Sequence, residues 1–334
     1  MTVRVAINGF GRIGRLVLRA YAESGRSDME VVAINNRSAL EGAAHLFKYD
    51  SVHGRFPGPV ETGEGFLDIG KGRIAYISEE DPANIRWGDH GVDVVLECTG
   101  KFNSRDKAQI HLTNGAKKVL CSAPAKGADM TVVYGVNHKD MKADQTIVSN
   151  ASCTTNCLAP MAMLLDEFCG LERGFMTTIH AYTTDQRLLD NSHKDLRRAR
   201  AAGLSMIPTT TGAAKTVGEV LPKLKGKLDG TSVRVPVPNV SLVDLVFVPA
   251  REVSAEAIND AVRKAAAGNL AGVVEACDEP LVSTDFNHNP ASCVFDLTQT
   301  QIVDKRLVRV AAWYDNEWGF SHRMNDTAAY WGAL

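Results

Sequence analysis

No stretch of this 334-residue chain stays apolar for the roughly 18–20 residues that a membrane helix needs. The first residues open directly into a strand-like run, without the basic, apolar and small-residue series of a secretory leader. Cysteine is sparse and odd in number, seven scattered residues with no C-x-x-C pair. That argues against a disulfide framework or a zinc site and for a reducing compartment. Neither sign of charge dominates: the formal net charge is −2, and no long basic stretch points to nucleic acid as the main partner. Internal repeats and low-complexity tracts are absent as well. What remains is 45% hydrophobic and 23% charged, enough for two domains with a core each. The expectation is a cytoplasmic enzyme or binding protein with no membrane partner and no metal.

"VRVAING" reads as a buried strand and runs at once into "GFGRIG". Ile13, Leu16, Val17, Ala20 and Tyr21 then mark one face of a helix that stops near Gly25, and "EVVAINN" supplies a second strand. Gly9, Gly11 and Gly14 therefore stand at G-x-G-x-x-G spacing inside a complete strand–turn–helix–strand unit. A ligand-free turn uses glycines too, but here each has a task. Together they tighten the turn, admit a pyrophosphate to the backbone and let helix pack on strand, while the helix N-terminus attracts the anion. "DVVLECTG", "KKVLCSAP" and "TVVYGVN" read as further strands, and "SRDKAQIHLTNG" as a helix capped by Ser104. This alternation predicts an α/β, doubly wound, mostly parallel sheet.

After Asn150 the pattern changes. "GFMTTIHAYTTDQ", "TSVRVPVPNVSLVDLVFVP" and "RLVRVAAWYDN" are long strands with few crossovers, as in a mostly antiparallel sheet covered by helices. Helices are expected at Cys153–Phe168, Gly212–Leu221 and Ser254–Ala267. The segment 316–334 is amphipathic and expected to return to the first domain. The division is a dinucleotide-binding domain over 1–150, completed by 316–334, and a catalytic α+β domain over 151–315.

The chemistry gathers in the second part. Cys153 begins a helix, where unpaired N–H groups and the macrodipole favour a thiolate, and Ser152 and Thr154 flank it with hydroxyls. A cysteine in that position is commonly packing; hydroxyl neighbours are not what an apolar core position needs. His180 closes the strand "FMTTIH", and beside a thiolate it would serve as general acid–base. "IPTTTGAAK" gives a hydroxyl cluster ending at Gly212 and a helix start, a natural anion cradle. Arg234 puts a charge inside an apolar strand and so requires a partner. A thiol, a histidine, basic residues and anion-binding hydroxyls beside a dinucleotide fold point to hydride chemistry on a phosphorylated substrate.

"INGFGRIGR", "KYDSVHGRF", "SNASCTTNCLAP", "DLRRARA", "IPTTTGAAK", "LKGKL", "VRVPVPNVS" and "WYDNEWGFSHR" resemble the glyceraldehyde-3-phosphate dehydrogenase family, end to end and in one register. The resemblance implies phosphorylating oxidation of D-glyceraldehyde 3-phosphate, with Cys153 as nucleophile and His180 as base. It assigns Thr183, Arg200 and Arg234, with Asp185, to the substrate phosphate, and Ser152, Thr154, Thr211 and Gly212 to the attacking inorganic phosphate. On the cofactor side it gives Arg12 and Ile13 to the pyrophosphate, Ser122 to the nicotinamide half and Asn316 to the carboxamide. It also implies a homotetramer in which residues 183–206 lie near a neighbour's cofactor, and it leaves Cys157 to packing.

Departures from the family pattern bear on the cofactor. The aspartate that usually ends the second strand of NAD-specific members is Asn36 here, followed by Arg37 and Ser38, which removes repulsion against a 2′-phosphate. Asn191-Ser192 stands where many NAD-specific members have Leu-Pro, so Ser192 joins Asn36 and Arg37 in the expected cofactor set. Glu80 pulls the other way, replacing a basic residue before Pro82, and Phe320 replaces a frequent tyrosine. Dual use of NAD and NADP is the most economical expectation. Two rivals stand beside this reading. Erythrose-4-phosphate dehydrogenase is a close cousin, but "YTTDQR" and "TTTG" are intact here. A non-catalytic cofactor-binding or redox-sensing protein should have lost Cys153, His180 or Arg234, and none is lost.

Overall fold

A computed structural model describes residues 2–334, which form two compact units. The first comprises residues through Tyr134, then His138–Ser152 and Ser321–Leu334. Its nine-stranded sheet runs in the order Met130–Thr131, Ile147–Ser149, Lys118–Cys121, Val94–Glu97, Val3–Asn8, Met29–Asn35, Arg73–Ile77, Phe66–Asp68, Glu61–Gly63. The first seven are parallel, and the last two add antiparallel edges. Val5, Ala6, Ile7, Val94, Val95 and Leu96 are all fully buried, as expected where helices cover both faces. α1 (Arg12–Glu23), α2 (Leu40–Lys48) and α3 (Arg105–Thr113) connect these strands, and Ser104 caps α3 by accepting the Lys107 N–H.

"TVVYGVN" is shorter as a strand than the sequence suggests. Only Met130–Thr131 pairs, and the chain turns at Gly135 (φ 87°), where glycine is needed. The antiparallel edge at 61–77 was not read from the sequence, because "ETGEGFLDIGKGRIAYI" interrupts its alternation with glycines.

The second unit, Cys153–Phe320 with Gly135–Asn137, holds a seven-stranded sheet. Its order is Ile207–Thr209, Leu228–Val235, Leu171–Ala181, Ser241–Pro249, Leu307–Tyr314, Cys293–Val303, Val274–Cys277, and four of its six pairings are antiparallel. α4 (Cys153–Cys169), α5 (Ala213–Val220) and α6 (Ala255–Ala266) pack together on this unit's sheet. The strand Ser241–Pro249 alternates strictly: Val243, Leu245 and Phe247 are buried, while Leu242, Asp244, Val246 and Val248 are half-buried on the other face. α4 continues through Pro160, which removes one N–H from the helix ladder.

α7 (Trp318–Gly332) ends the chain, and its residues from Ser321 onward belong to the first unit. There Asn325 Nδ2 donates to the Val17 carbonyl at 3.0 Å and Thr327 Oγ1 to Asn150 Oδ1 at 2.9 Å. Trp331 is fully buried.

Candidate active site

The dinucleotide end lies in the first unit. Gly9 has φ 93°, and a Cβ there would meet Thr99 at 2.7 Å; a Cβ on Gly14 would lie 2.1 Å from the Gly9 carbonyl oxygen. These two glycines make the turn and the close approach of helix to strand. Gly11 is different: nothing lies within 4 Å of a Cβ built on it, and it is the N-cap of α1 with no side-chain cap. The first-turn N–H groups of α1 thus adjoin a cavity of about 490 Å³ lined by Gly9, Gly11, Asn36, Arg37, Glu80 and Thr99, among others. These features suit a pyrophosphate. Arg12 and the half-buried Ile13 start α1, and Arg12 Nη1 is held 2.6 Å from Asp50 Oδ2.

Asn36 Nδ2 donates to the Tyr76 hydroxyl (3.1 Å), which donates to the Ser38 carbonyl (2.7 Å). Arg37 pairs with Glu80 at 3.0 Å, both well exposed. The two groups expected to act oppositely on a 2′-phosphate are partners of each other. Ser122, half-buried, follows the strand Lys118–Cys121 and donates its N–H to the Glu97 carbonyl.

The thiol end lies mainly in the second unit. Ala151 adopts φ 57°, a left-handed conformation that a non-glycine residue rarely takes, immediately before Ser152 and Cys153. Cys153 Sγ is 3.5 Å from His180 Nε2, although the two are 27 residues apart in sequence. His180 Nδ1 lies 2.7 Å from the Ala181 carbonyl, which can only accept. The Nδ1–H is thereby assigned as donor, and Nε2 is left to receive a proton from sulfur. The imidazole is edge-on to the ring of Tyr314, whose hydroxyl is bracketed by Thr178 (2.8 Å) and Thr154 (3.0 Å). Tyr314, fully buried, was not singled out from the sequence; a tyrosine in a strand carries no signal until its neighbours are known.

Sheet register places Arg234 directly beside His180. Arg234 Nη1 donates to the Ala181 carbonyl (3.0 Å) and to Thr183 Oγ1 (3.3 Å), while its buried Nε finds no partner. A buried guanidinium with an open donor is what an anionic ligand would complete. Burial pushes the Cys153 thiol up from its ordinary value, and the charge of Arg234 pulls it partly back. Burial also drives His180 down to about 3, aided by Arg234 and Arg198. Burial thus opposes charge on both members of the pair and acts against the thiolate that the helix start favours.

In the loop beyond, one expected residue is replaced. Arg200 points away: its Nε bonds Asp190 at 2.8 Å, and its side chain is 66% exposed. Arg198 turns inward instead, donating to Asp185 Oδ2 (2.6 Å), Thr209 Oγ1 (3.0 Å) and the Thr210 carbonyl (3.4 Å). "DLRRARA" has three arginines and no regular period, so the sequence could not show which faces in. Asp185 also meets His193; burial works against its charge, yet Arg198 and His193 hold the carboxyl below its ordinary range. Thr211 Oγ1 accepts the Ala213 N–H, and the exposed Gly212 is the N-cap of α5. Ser192 is exposed at the loop surface, where its carbonyl accepts from Arg187. Asn316, nearly buried, bonds Ser241 at 2.8 Å. Cys157 is buried beneath Cys153, its thiol raised well above the ordinary range by burial and by Cys293.

Comparison with known proteins gives two family matches. Residues 3–105 match the glyceraldehyde 3-phosphate dehydrogenase NAD binding domain, and residues 152–316 match the glyceraldehyde 3-phosphate dehydrogenase C-terminal domain. The chain is 61% identical to the glyceraldehyde-3-phosphate dehydrogenase of Xanthobacter flavus and 60% identical to that of Cereibacter sphaeroides, over 100% of each chain. It is 54% identical to that of Geobacillus stearothermophilus, covering 99% of this chain and 98% of the relative.

Proposed function

The chain belongs to the glyceraldehyde-3-phosphate dehydrogenase family, and from that premise we propose that it oxidises D-glyceraldehyde 3-phosphate with phosphorylation, by a thioester on Cys153. The observation that carries this is the 3.5 Å contact of Cys153 Sγ with His180 Nε2, beside an Arg234 whose Nε lacks a partner. His180 relays the thiol proton to the aldehyde oxygen as sulfur bonds the carbonyl carbon. It then takes the hydroxyl proton back as the hemithioacetal is oxidised. When bound, NAD or NADP supplies the oxidant by accepting hydride at its pyridine ring. Inorganic phosphate finally attacks the thioester carbonyl, and the C–S bond breaks to release 1,3-bisphosphoglycerate and the free Cys153 sulfur.

Arg234 and Thr183, oriented with Asp185, hold the substrate phosphate; Ser152, Thr154, Thr211 and Gly212 hold the attacking one. Arg198 takes the anion-binding part first given to Arg200. Gly9, Gly11, Arg12, Ile13 and Gly14 hold the pyrophosphate, Asn36 and Arg37 the adenosine ribose, and Ser122 and Asn316 the nicotinamide. The molecule is a homotetramer in which Ser192 reaches a neighbour's cofactor. In support, Leu188, Leu189, Leu196, Leu204 and Met206 are each at least 72% exposed on the loop that carries it. We place the protein in the cytoplasm. All seven cysteines are free, and among the described residues no helix is long and apolar enough to cross a membrane.

The test omits phosphate. With glyceraldehyde 3-phosphate and NAD alone, mass spectrometry should find one acyl adduct, on Cys153, and added phosphate should discharge it. An adduct elsewhere, or turnover by Cys153→Ser, would refute the mechanism. Steady-state kinetics should show turnover with both cofactors, their kcat/KM values within about 10²-fold. Glu80→Gln, by freeing Arg37, should raise kcat/KM for NADP by about tenfold, the scale of one charge-assisted hydrogen bond. NADP turnover more than roughly a thousandfold below NAD would exclude dual use.

A further inference from the structure

Ser241 opens the strand Ser241–Pro249 and is 1% exposed. Its Oγ accepts the N–H of Ala181 at 3.0 Å, so the hydroxyl proton must go to a second partner. That partner is Asn316 Oδ1, at 2.8 Å. If the Asn316 amide were turned over, its NH₂ would face the serine oxygen, and a buried hydroxyl proton would be left without an acceptor. The stable arrangement puts the Asn316 oxygen inward, against Ser241. Its NH₂ makes no hydrogen bond to any other described residue.

The backbone carrying Asn316 is held separately. The buried Asp315 carboxylate accepts Asn239 Nδ2 (2.8 Å) and the N–H groups of His288 and Trp318 (2.7 Å each). With that segment fixed, rotation of the amide is the freedom that remains, and Ser241 removes it. The same Ala181 whose N–H orients Ser241 accepts His180 Nδ1–H through its carbonyl.

We propose that Ser241 is a positioning residue: it locks the Asn316 amide with NH₂ outward, so that the site offers a donor, and never an acceptor, to the carboxamide of the cofactor. This presupposes that Asn316 meets that carboxamide. Only a carbonyl is then needed on the ligand side. An analogue with an acetyl group in place of the carboxamide keeps that carbonyl and should bind like NAD; once the amide can turn over, NAD keeps a partner in both orientations and the analogue in one.

The experiment is equilibrium binding, by fluorescence titration, of three oxidised dinucleotides: NAD, the 3-acetylpyridine analogue and a pyridine analogue bearing neither group. Wild type should bind the first two within about threefold of each other and the third about tenfold more weakly, the worth of one hydrogen bond. Ser241→Ala should widen the ratio of NAD to acetyl-analogue affinity by about twofold over wild type, the factor lost when the freed amide is turned over in half of the molecules. Ser241→Thr, which restores the hydroxyl, should return it to the wild-type ratio. Alkylation of Cys153 without cofactor should proceed at the wild-type rate in Ser241→Ala, showing the thiol site intact; if that variant does not fold, Ser241→Cys carries the same comparison. Asn316→Ala separates the two layers. If it leaves the preference for NAD over the unsubstituted pyridine analogue unchanged, Asn316 does not meet the carboxamide. If it abolishes that preference while Ser241→Ala keeps the wild-type ratio of NAD to acetyl analogue, the positioning role of Ser241 is overturned.

Discussion

Protonating His180 in the free protein means charging a buried imidazole next to Arg234 and within the field of Arg198. Burial is the largest reason, and the two guanidinium groups add to it, that the ring falls from its usual 6.5 to about 3. The unfolded chain takes up this proton below pH 6.5, whereas the folded chain refuses it until about pH 3. Stability is therefore lost as pH falls through that window. His180→Asn cannot titrate, so between pH 6.5 and 4.5 wild type should lose about 2 kcal/mol more than the variant. Urea denaturation across that range measures it, and parallel pH profiles would contradict the neutral imidazole. The loop arginines make a second residue-level contrast. Arg198→Leu should lower kcat/KM for the phosphorylated aldehyde by about 10²-fold, from one lost charged hydrogen bond plus misorientation. Arg200→Leu, which breaks only an exposed pair, should change it less than about threefold, since such pairs are worth about 0–1 kcal/mol. The reverse order would restore the assignment first drawn from the sequence.

Among the elements, α1 carries the sharpest demand on its sequence. Two of its glycines look alike in the motif and differ in the fold. Gly14→Ala drives a methyl into the Gly9 carbonyl oxygen, a backbone atom that cannot step aside, and should cost about 1–3 kcal/mol or prevent folding. Gly11→Ala meets nothing and should change stability by no more than about 1 kcal/mol, as at other N-caps. Its methyl nonetheless stands at the helix N-terminus where the pyrophosphate is expected, so cofactor affinity should fall by about tenfold or more with the melting temperature nearly kept. Calorimetry with cofactor titration separates the two variants. Equal loss of stability in both would mean that Gly11, too, is a packing glycine. α4 shows a different division of labour: its first residue is the proposed nucleophile, while the turn before it belongs to Ala151, held at φ 57° before the helix begins.

For the whole molecule, two surfaces need company. The loop presents five apolar side chains almost fully to solvent, and the sheet of the second unit has a face of half-buried Leu242, Val246 and Val248. A stable monomer rarely leaves so much apolar surface uncovered. Light scattering should give four times the 36.1 kDa chain mass. Leu188→Glu with Leu204→Glu should yield a smaller species with weaker cofactor binding, since Ser192 lies on the same loop. A monomeric wild type would sink both the tetramer and the shared cofactor contact.

Much of the site was legible because its chemistry sits in adjacent residues. Three glycines at fixed spacing, a cysteine between two hydroxyls at a helix start and a histidine closing a strand need only local geometry to be recognised. The cap at Ser104 and the strict alternation of Ser241–Pro249 were open to the same reading, since helix and strand periods are local properties. The rest turns on pairings between distant segments. That Cys153 meets His180 across 27 residues follows from packing α4 on the sheet, and that Arg234 stands beside His180 follows from strand register. Arg198 over Arg200, Arg37 against Glu80 and Tyr314 beneath the imidazole belong with them. Irregular loops have no period to set a side chain's direction, and an ion pair has no signature until its partner's position is known. The thiol is the clearest case: the helix start favours a thiolate, and only the depth of burial, a property of the whole unit, opposes it.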